Sequence, residues 1–154
     1  MVKKILHGYQ ISFHVTGEPL NIKQMQHFDG LDQFFIGNGA CLSISGAGSS
    51  LFVSSFDSKV LFRLNHLLHV SSITRNLLSV SQFVKDNSVF FEFCSDKCLV
   101  KSHETNKVLL HGGVRPDGLY PFHNVLLFSN STTVITICAF CYFTFYSCCF
   151  KSCK

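Results

Sequence analysis

Residues 33–44 read QFFIGNGACLSI, and this stretch indicates the fold class. Two short apolar runs flank the sequence GNG at residues 37–39. Asn-Gly is the strongest short signal for a β-hairpin, because both residues tolerate a positive φ. We therefore predict strands at residues 33–36 and 41–44, joined by a tight turn.

The rest of the chain repeats this pattern of short apolar runs and turn residues, which is typical of an all-β domain. Further strands are predicted at residues 50–53, 60–64, 66–70, 89–93, 98–101, 107–111 and 118–122, with the sequence GAG at residues 46–48 ending the hairpin. In one segment the apolar residues fall at positions 77, 80, 83 and 84, which is helical spacing. It predicts one short helix over residues 76–86 with Asn76 as its N-cap. Many short strands and one helix indicate a small closed or half-closed β-barrel.

The composition excludes several classes of protein. The 154 residues are enough for one domain with a core. Hydrophobic residues make up 47% and charged residues 14% of the chain, which does not fit a disordered polar chain. The net charge of +4 is spread along the sequence, and Lys3-Lys4 is the one adjacent basic pair. Nucleic-acid binding needs clustered Lys and Arg, so we expect no nucleic-acid partner.

The C-terminal part of the chain differs in composition from the rest. Residues 118–150 contain no Asp, Glu, Lys or Arg. We therefore divide the chain into a domain at residues 1–122 and an irregular or hydrophobic tail at residues 123–154 that does not belong to it. Residues 125–150 are long enough to span a membrane, but Ser, Thr, Tyr and Phe favour an untethered, strand-like tail. The first residues contain no apolar run of signal-peptide length, so an intracellular, cytoplasmic location is expected.

The cysteines in the body of the chain do not form a known metal motif. Cys94, Cys98 and His103 have the spacing Cys-x3-Cys-x4-His, and the nearest further candidate ligand is His111. Structural zinc sites need four ligands at tight spacing. We expect no metal and no cofactor, and without a secretory signal we expect free thiols.

Five blocks of the sequence, in order, resemble the Pol polyproteins of Copia-type retrotransposons. They are residues 29–39 (DGLDQFFIGNG), 66–87 (HLLHVSSITRNLLSVSQFVKDN), 89–93 (VFFEF), 98–101 (CLVK) and 117–122 (DGLYPF). The resemblance extends from about residue 12 to residue 122. It implies a retropepsin-like β-barrel, which is an aspartic protease domain. In that family two copies pair, and each supplies one Asp. The two carboxylates share a proton and activate a water molecule.

The same resemblance implies a degenerate active-site loop. In the family this loop reads Asp-Ser-Gly-Ala-Ser and is followed, two residues on, by His-Val-Thr. Residues 8–16 of this chain read GYQISFHVT. Gly8 stands in the place of the aspartate, and residues 1–17 contain no acid. The degenerate loop comprises Gly8, Tyr9, Gln10, Ile11, Ser12 and His14, so no catalytic residue is assigned and no peptidase activity is expected.

Three functions are open at this point. The first is an inactive protease-like β-barrel that pairs with itself or forms a mixed dimer with an intact homologous protease domain. The second is an active aspartic endopeptidase whose acid is Asp29 or Asp32, which we otherwise interpret as turn residues. The third is a small membrane-associated protein held by residues 125–150. We interpret the tail as frameshifted or read-through sequence of a decayed element.

Overall fold

The computed structural model describes residues 13–29, 32–35, 41–126 and 132–137. These residues form twelve strands, one α-helix and one 3-10 turn. The strands are β1 His14–Thr16, β2 Lys23–His27, β3 Gln33–Phe35, β4 Cys41–Ser43, β5 Gly46–Val53, β6 Leu61–His69, β7 Asn76–Leu78, β8 Val89–Phe93, β9 Lys97–Ser102, β10 Val108–Gly113, β11 Tyr120–Leu126 and β12 Thr132–Ile137. The helix α1 is Val80–Asn87, and the 3-10 turn is Pro19–Asn21.

The strands form three sheets. The main sheet has seven strands in the order β11-β12-β7-β1-β6-β5-β2. A second sheet has the order β10-β9-β8, and β3 and β4 pair with each other. An all-β fold with one short helix is therefore confirmed. The predicted pairing of the strands on either side of residues 37–39 is confirmed as well, because Gln33 pairs with Ser43 and Phe35 with Cys41. The predicted turn itself lies outside the described residues.

The main core is a cluster of phenylalanine rings around the helix. Phe83 of α1 is fully buried, and its ring lies 5.2 to 6.0 Å from the rings of Phe52, Phe62 and Phe91. These rings come from β5, β6 and β8, so a single helical side chain joins the main sheet to the three-stranded sheet. Phe83 is one of the apolar positions whose spacing predicted the helix, and the helix is confirmed there.

The start of the helix is where the prediction was wrong. Residues 76–78 form strand β7 and not the first turn of a helix, and Asn76 is not the N-cap. Ser79 is the N-cap, and its side chain accepts a hydrogen bond from the backbone N–H of Gln82. Leu77 pairs with Val15 of β1. The pairing of β7 with β1 stabilises the strand more than the local helical periodicity favours a helix, because tertiary context overrides propensity.

Two predicted strand breaks are absent from the structure. The GAG sequence at residues 46–48 lies inside β5, where Gly46, Ala47 and Gly48 pair with successive residues of β6. The predicted break at Asn65 is a bulge within one continuous strand, β6. The register shifts there, and His66 has a φ of 55°. A bulge adds a residue to one strand without ending the ladder.

The C-terminal part of the described chain belongs to the main sheet. Strand β11 contains the boundary predicted after residue 122. Residues 132–137 of the predicted tail form β12, which pairs with both β11 and β7. This segment is strand-like, as predicted, but it is joined to the sheet and not untethered. The division between family domain and tail stays a prediction.

Strand β10 packs closely against β11 at a glycine. A Cβ atom on Gly112 would lie 2.8 Å from the carbonyl oxygen of Pro121 and 3.2 Å from the ring of Phe122. Real Cβ atoms essentially never approach a carbonyl oxygen that closely. The neighbouring Gly113 is exposed, and a Cβ there would meet nothing within 4 Å. The two adjacent glycines therefore have opposite tolerance for a side chain.

We predict that Gly112→Ala lowers the free energy of unfolding by about 1–3 kcal/mol, because the added methyl group forces the two strands apart. The matched variant Gly113→Ala should change it by no more than about 0.5 kcal/mol. Urea denaturation of both variants measures the difference. Equal stabilities would contradict the close packing of β10 on β11.

Candidate active-site region

The triplet His14-Val15-Thr16, at the end of the predicted degenerate loop, forms β1 at the centre of the main sheet. Strand β1 runs parallel to β6 and antiparallel to β7. His14, Val15 and Thr16 are each no more than 1% exposed. Val15 packs into a second apolar cluster with Ile44 and Val70. The residues that follow the degenerate loop are thus held on both sides and fully desolvated.

The hydroxyl of Thr16 lies in a buried polar network. It donates to the Oδ1 atom of Asn76 at 2.6 Å and accepts from the Nδ2 atom of Asn21 at 2.9 Å. It also accepts from the backbone N–H of Glu18 at 3.1 Å. A buried hydroxyl is costly without such partners. The network therefore fixes β1 against the 3-10 turn and against β7.

The close approach of the chain after β1 requires a glycine. A Cβ atom on Gly17 would collide with the carbonyl oxygen of Ile73, which lies just before β7. The backbone N–H of Ile73 in turn donates to the carbonyl oxygen of Val70 at 3.0 Å. Gly17 thus allows the β6–β7 connection to pass directly over the end of β1.

The imidazole of His14 joins β1 to the helix. Its Nδ1 atom accepts a hydrogen bond from the backbone N–H of Ser79 at 3.1 Å, so the ring proton lies on Nε2. Among the described residues, Nε2 has no hydrogen-bond partner. The ring also makes an edge contact with Phe83, at a centroid distance of 6.4 Å. His14 is a buried neutral acceptor at the start of α1.

Burial lowers the pKa of His14 to about 4 from its ordinary value of 6.5. Desolvation is the largest cause, because the cation loses its water in the core. The carboxylate of Asp86 raises the pKa, and the nearby His66 lowers it, but burial outweighs both. Protonation would also turn Nδ1 into a donor and so remove the bond from Ser79.

The remaining residues of the degenerate loop, Gly8, Tyr9, Gln10, Ile11 and Ser12, lie outside the described part of the chain. The structure describes the two acids of the alternative endopeptidase hypothesis. Asp29 and Asp32 are exposed and lie between β2 and β3. The carbonyl oxygen of Asp32 accepts from the backbone N–H of Ile44 at 3.0 Å and so fixes the base of the β3–β4 hairpin.

The cysteine and histidine residues considered for a metal site lie in different environments. Cys98 is fully buried in the main core, and Cys94 lies in the β8–β9 turn. His103 packs edge-on against Phe90, with ring centroids 5.7 Å apart. Within the described ranges no group of three or more His, Cys, Asp or Glu residues could hold a metal ion.

In the described residues, no helix is both long enough and apolar enough to cross a bilayer. Most of the hydrophobic segment at residues 125–150 lies outside those residues. Its described parts belong to β11 and β12.

Two curated relatives resemble this chain. They are the retrovirus-related Pol polyproteins from transposons RE2 and RE1 of Arabidopsis thaliana, each 33% identical over 107 residues. The match covers 70% of this chain and 7% of each relative, so the chain spans a small part of the polyproteins it matches. No family model matches the chain, and no solved structure matches it significantly.

The fold places this chain in the class of all-β proteins, with a buried strand at the centre of its main sheet. The relatives identify the family. The chain belongs to the retrovirus-related Pol polyproteins of transposons and corresponds to a segment of such a polyprotein.

Sequence reasoning missed the partners of the buried triplet. Asn21 was not singled out, and Asn76 was assigned to the wrong role. Ser79 lies inside the predicted helix of residues 76–86, whereas in the structure it is the N-cap. A local signal existed for Ser79, since serine is a preferred N-cap. No local signal connects Asn21 or Asn76 with Thr16, because these contacts span 5 and 60 residues.

Titration of His14 should make the domain less stable in mild acid. Because its pKa is lower in the folded state, the unfolded state binds more protons between pH 6.5 and about 4, and stability falls as the pH falls through this range. From pH 7 to pH 4.5 this group should cost about 2 kcal/mol. Urea denaturation at both values should show a smaller fall for His14→Gln than for the wild type.

The control for this prediction is His111→Gln, which removes an exposed imidazole from β10. It should retain the pH dependence of the wild type. An unchanged pH dependence in His14→Gln would show that another group carries the acid sensitivity.

Proposed function

We propose that this chain is a retropepsin-like, aspartic-protease-like β-barrel domain of a Copia-type Pol polyprotein and that it has no peptidase activity. The observation that carries the proposal is the sequence of residues 8–16, in which His14, Val15 and Thr16 retain the family pattern while Gly8 stands in the place of the aspartate. The relatedness to transposon Pol polyproteins and the all-β fold support it.

The inactivity follows from the chemistry of the reaction. In the family each of two paired copies supplies one carboxylate. One carboxylate acts as a base while the other stays protonated, because two like charges at close range push their pKa values apart. Gly8 supplies no ionisable group. A homodimer of this chain would therefore have neither the base that activates water nor the acid that protonates the substrate.

The structure of β1 supports the protease-like interpretation of the preceding loop. Catalytic groups must be held within a fraction of an ångström by a rigid scaffold. Strand β1 is such a scaffold, because it is fully buried, pairs on both sides and is bound through Thr16 and His14 to β7 and α1. In this chain Gly8 stands where the family has a carboxylate, and the scaffold of β1 does not depend on that group. A sound scaffold without its acid is a binding or structural remnant of an enzyme.

Restoring the family loop tests the proposal directly. We predict that the triple variant Gly8→Asp, Tyr9→Ser, Gln10→Gly gains cleavage of peptide substrates that is inhibited by pepstatin, whereas the wild type has none. The matched control is Gly8→Asn, Tyr9→Ser, Gln10→Gly, which has the same loop without the carboxylate. The rate of the Asp variant should exceed that of this control by about 100-fold or more, because acid–base catalysis contributes that much.

Circular dichroism and the urea midpoint of both triple variants establish that they are folded. A folded Asp variant that dimerises and has no more activity than the Asn control would contradict the retropepsin-like assignment. Cleavage by the wild type itself would contradict the inactivity.

The second part of the proposal concerns partners. We propose that the chain pairs with itself or with an intact homologous protease domain. A mixed dimer would contain a single carboxylate and would not turn over substrate. If pairing is random, an equimolar amount of this chain should lower the rate per intact subunit by about twofold, with further loss at higher ratios.

The measurement is a titration of an intact homologous protease domain with this chain, monitored by peptide cleavage. An equal amount of an unrelated small β protein controls for crowding and adsorption. The titration should extend to about a tenfold excess of the chain, because by mass action such an excess converts most intact subunits into mixed dimers. A rate that stays constant over this range would remove the mixed dimer from the proposal.

A further inference from the structure

Strand β12 occupies an inner position of the main sheet although it comes last in the described sequence. It lies between β11 and β7, antiparallel to the first and parallel to the second. It pairs with β11 at five positions and with β7 at three. In the described part of the chain, β11 joins the seven-stranded sheet through β12. This single segment therefore connects the β11 edge to the rest of the sheet.

Strand β12 supplies backbone hydrogen-bond partners to the strands on both of its sides, β7 and β11. If β12 were displaced, one edge of β7 and one edge of β11 would each present unpaired N–H and C=O groups, which is a template for another strand. Both flanking strands carry core residues. Leu78 of β7 is 1% exposed, and Phe122 and Val125 of β11 are 2% and 4% exposed. An empty position would therefore leave unpaired backbone next to the core, at a high cost in free energy.

The sequence of the segment suits this position. Residues 132–137 read TTVITI, and every residue is β-branched, which favours the extended conformation. The segment carries no charge and contains no proline. Five residues, 127–131, connect it to β11. A segment with its own strand propensity, attached through a short connection at one end, can exchange between copies of the same chain.

We propose that the space between β7 and β11 is a strand-docking site, filled within one chain by Thr132–Ile137, and that the same segment of a second copy fills it in a strand-exchanged dimer. The identical sequence gives the second copy the same register, with Thr136 opposite Leu77 and Ile135 opposite Phe122. The exchange needs no new contacts, because each strand replaces its equivalent. This pairing is independent of the catalytic loop and of the protease-like assignment.

The first experiment uses the full chain with Thr136→Pro under reducing conditions. Proline removes a ladder donor and blocks pairing of the chain's own segment. A fluorescent peptide with the sequence of residues 131–138 should bind this variant at least about tenfold more tightly than it binds the wild type, whose site is filled. The same peptide with proline at the position of Thr136 is the matched control and should not bind. A folded variant that fails to capture the peptide would overturn the proposal.

A second variant covers the case in which Thr136→Pro does not fold. Deletion of residues 127–131 leaves both strands intact but prevents the segment from turning back onto its own β11. We expect this variant to sediment as a dimer and to dissociate when the unlabelled peptide is added in excess. A folded monomer, or a dimer that the peptide does not affect, would overturn strand exchange.

Discussion

The structure depends on the complete desolvation of β1. Three consecutive residues, two of them polar, are buried between β6 and β7. An unsatisfied buried polar group costs about 1–3 kcal/mol. Among the described residues Nε2 of His14 has no partner, but the hydroxyl of Thr16 and the Nδ1 atom of His14 have partners within the protein. Those partners lie on the 3-10 turn, on β7 and at the start of α1, so the burial of one short strand determines how three other elements are placed.

The same requirement explains where sequence reasoning succeeded and where it failed. The hairpin at residues 33–43 and the strands β8 to β10 were predictable because their signals are local alternation and turn residues. The helix around Phe83 was predictable because helical spacing is local as well. The start of the helix was not. Residues 76–78 continue the helical pattern in sequence, but pairing with β1 and β12 makes them a strand. The partners in this ladder lie about 60 residues away in each direction.

The candidate site likewise has some features that local sequence indicates and others that depend on contacts between distant residues. The proposed correspondence of Gly8 with the family's aspartate rests on the sequence alone, in which His14, Val15 and Thr16 align the preceding loop. The lowered pKa of His14 could not be predicted, since it results mainly from burial, which depends on the whole fold. The hydrogen bond that its Nδ1 atom accepts comes from Ser79, 65 residues away, and could not be predicted either. Likewise no local pattern indicates that the uncharged segment at residues 132–137 enters the main sheet. In each case the deciding interaction is a backbone or buried polar contact between distant parts of the chain.

The groups that stabilise β1 are His14 and Thr16, and neither is the group that we propose to be missing at Gly8. We propose that this chain has the scaffold of an aspartic protease and no catalytic acid. The most direct measurement is exposure of a diverse peptide library to the purified wild-type chain between acidic and neutral pH, with mass-spectrometric detection of new termini. We predict no cleavage that pepstatin inhibits. Pepstatin-sensitive cleavage that copurifies with the chain would contradict it.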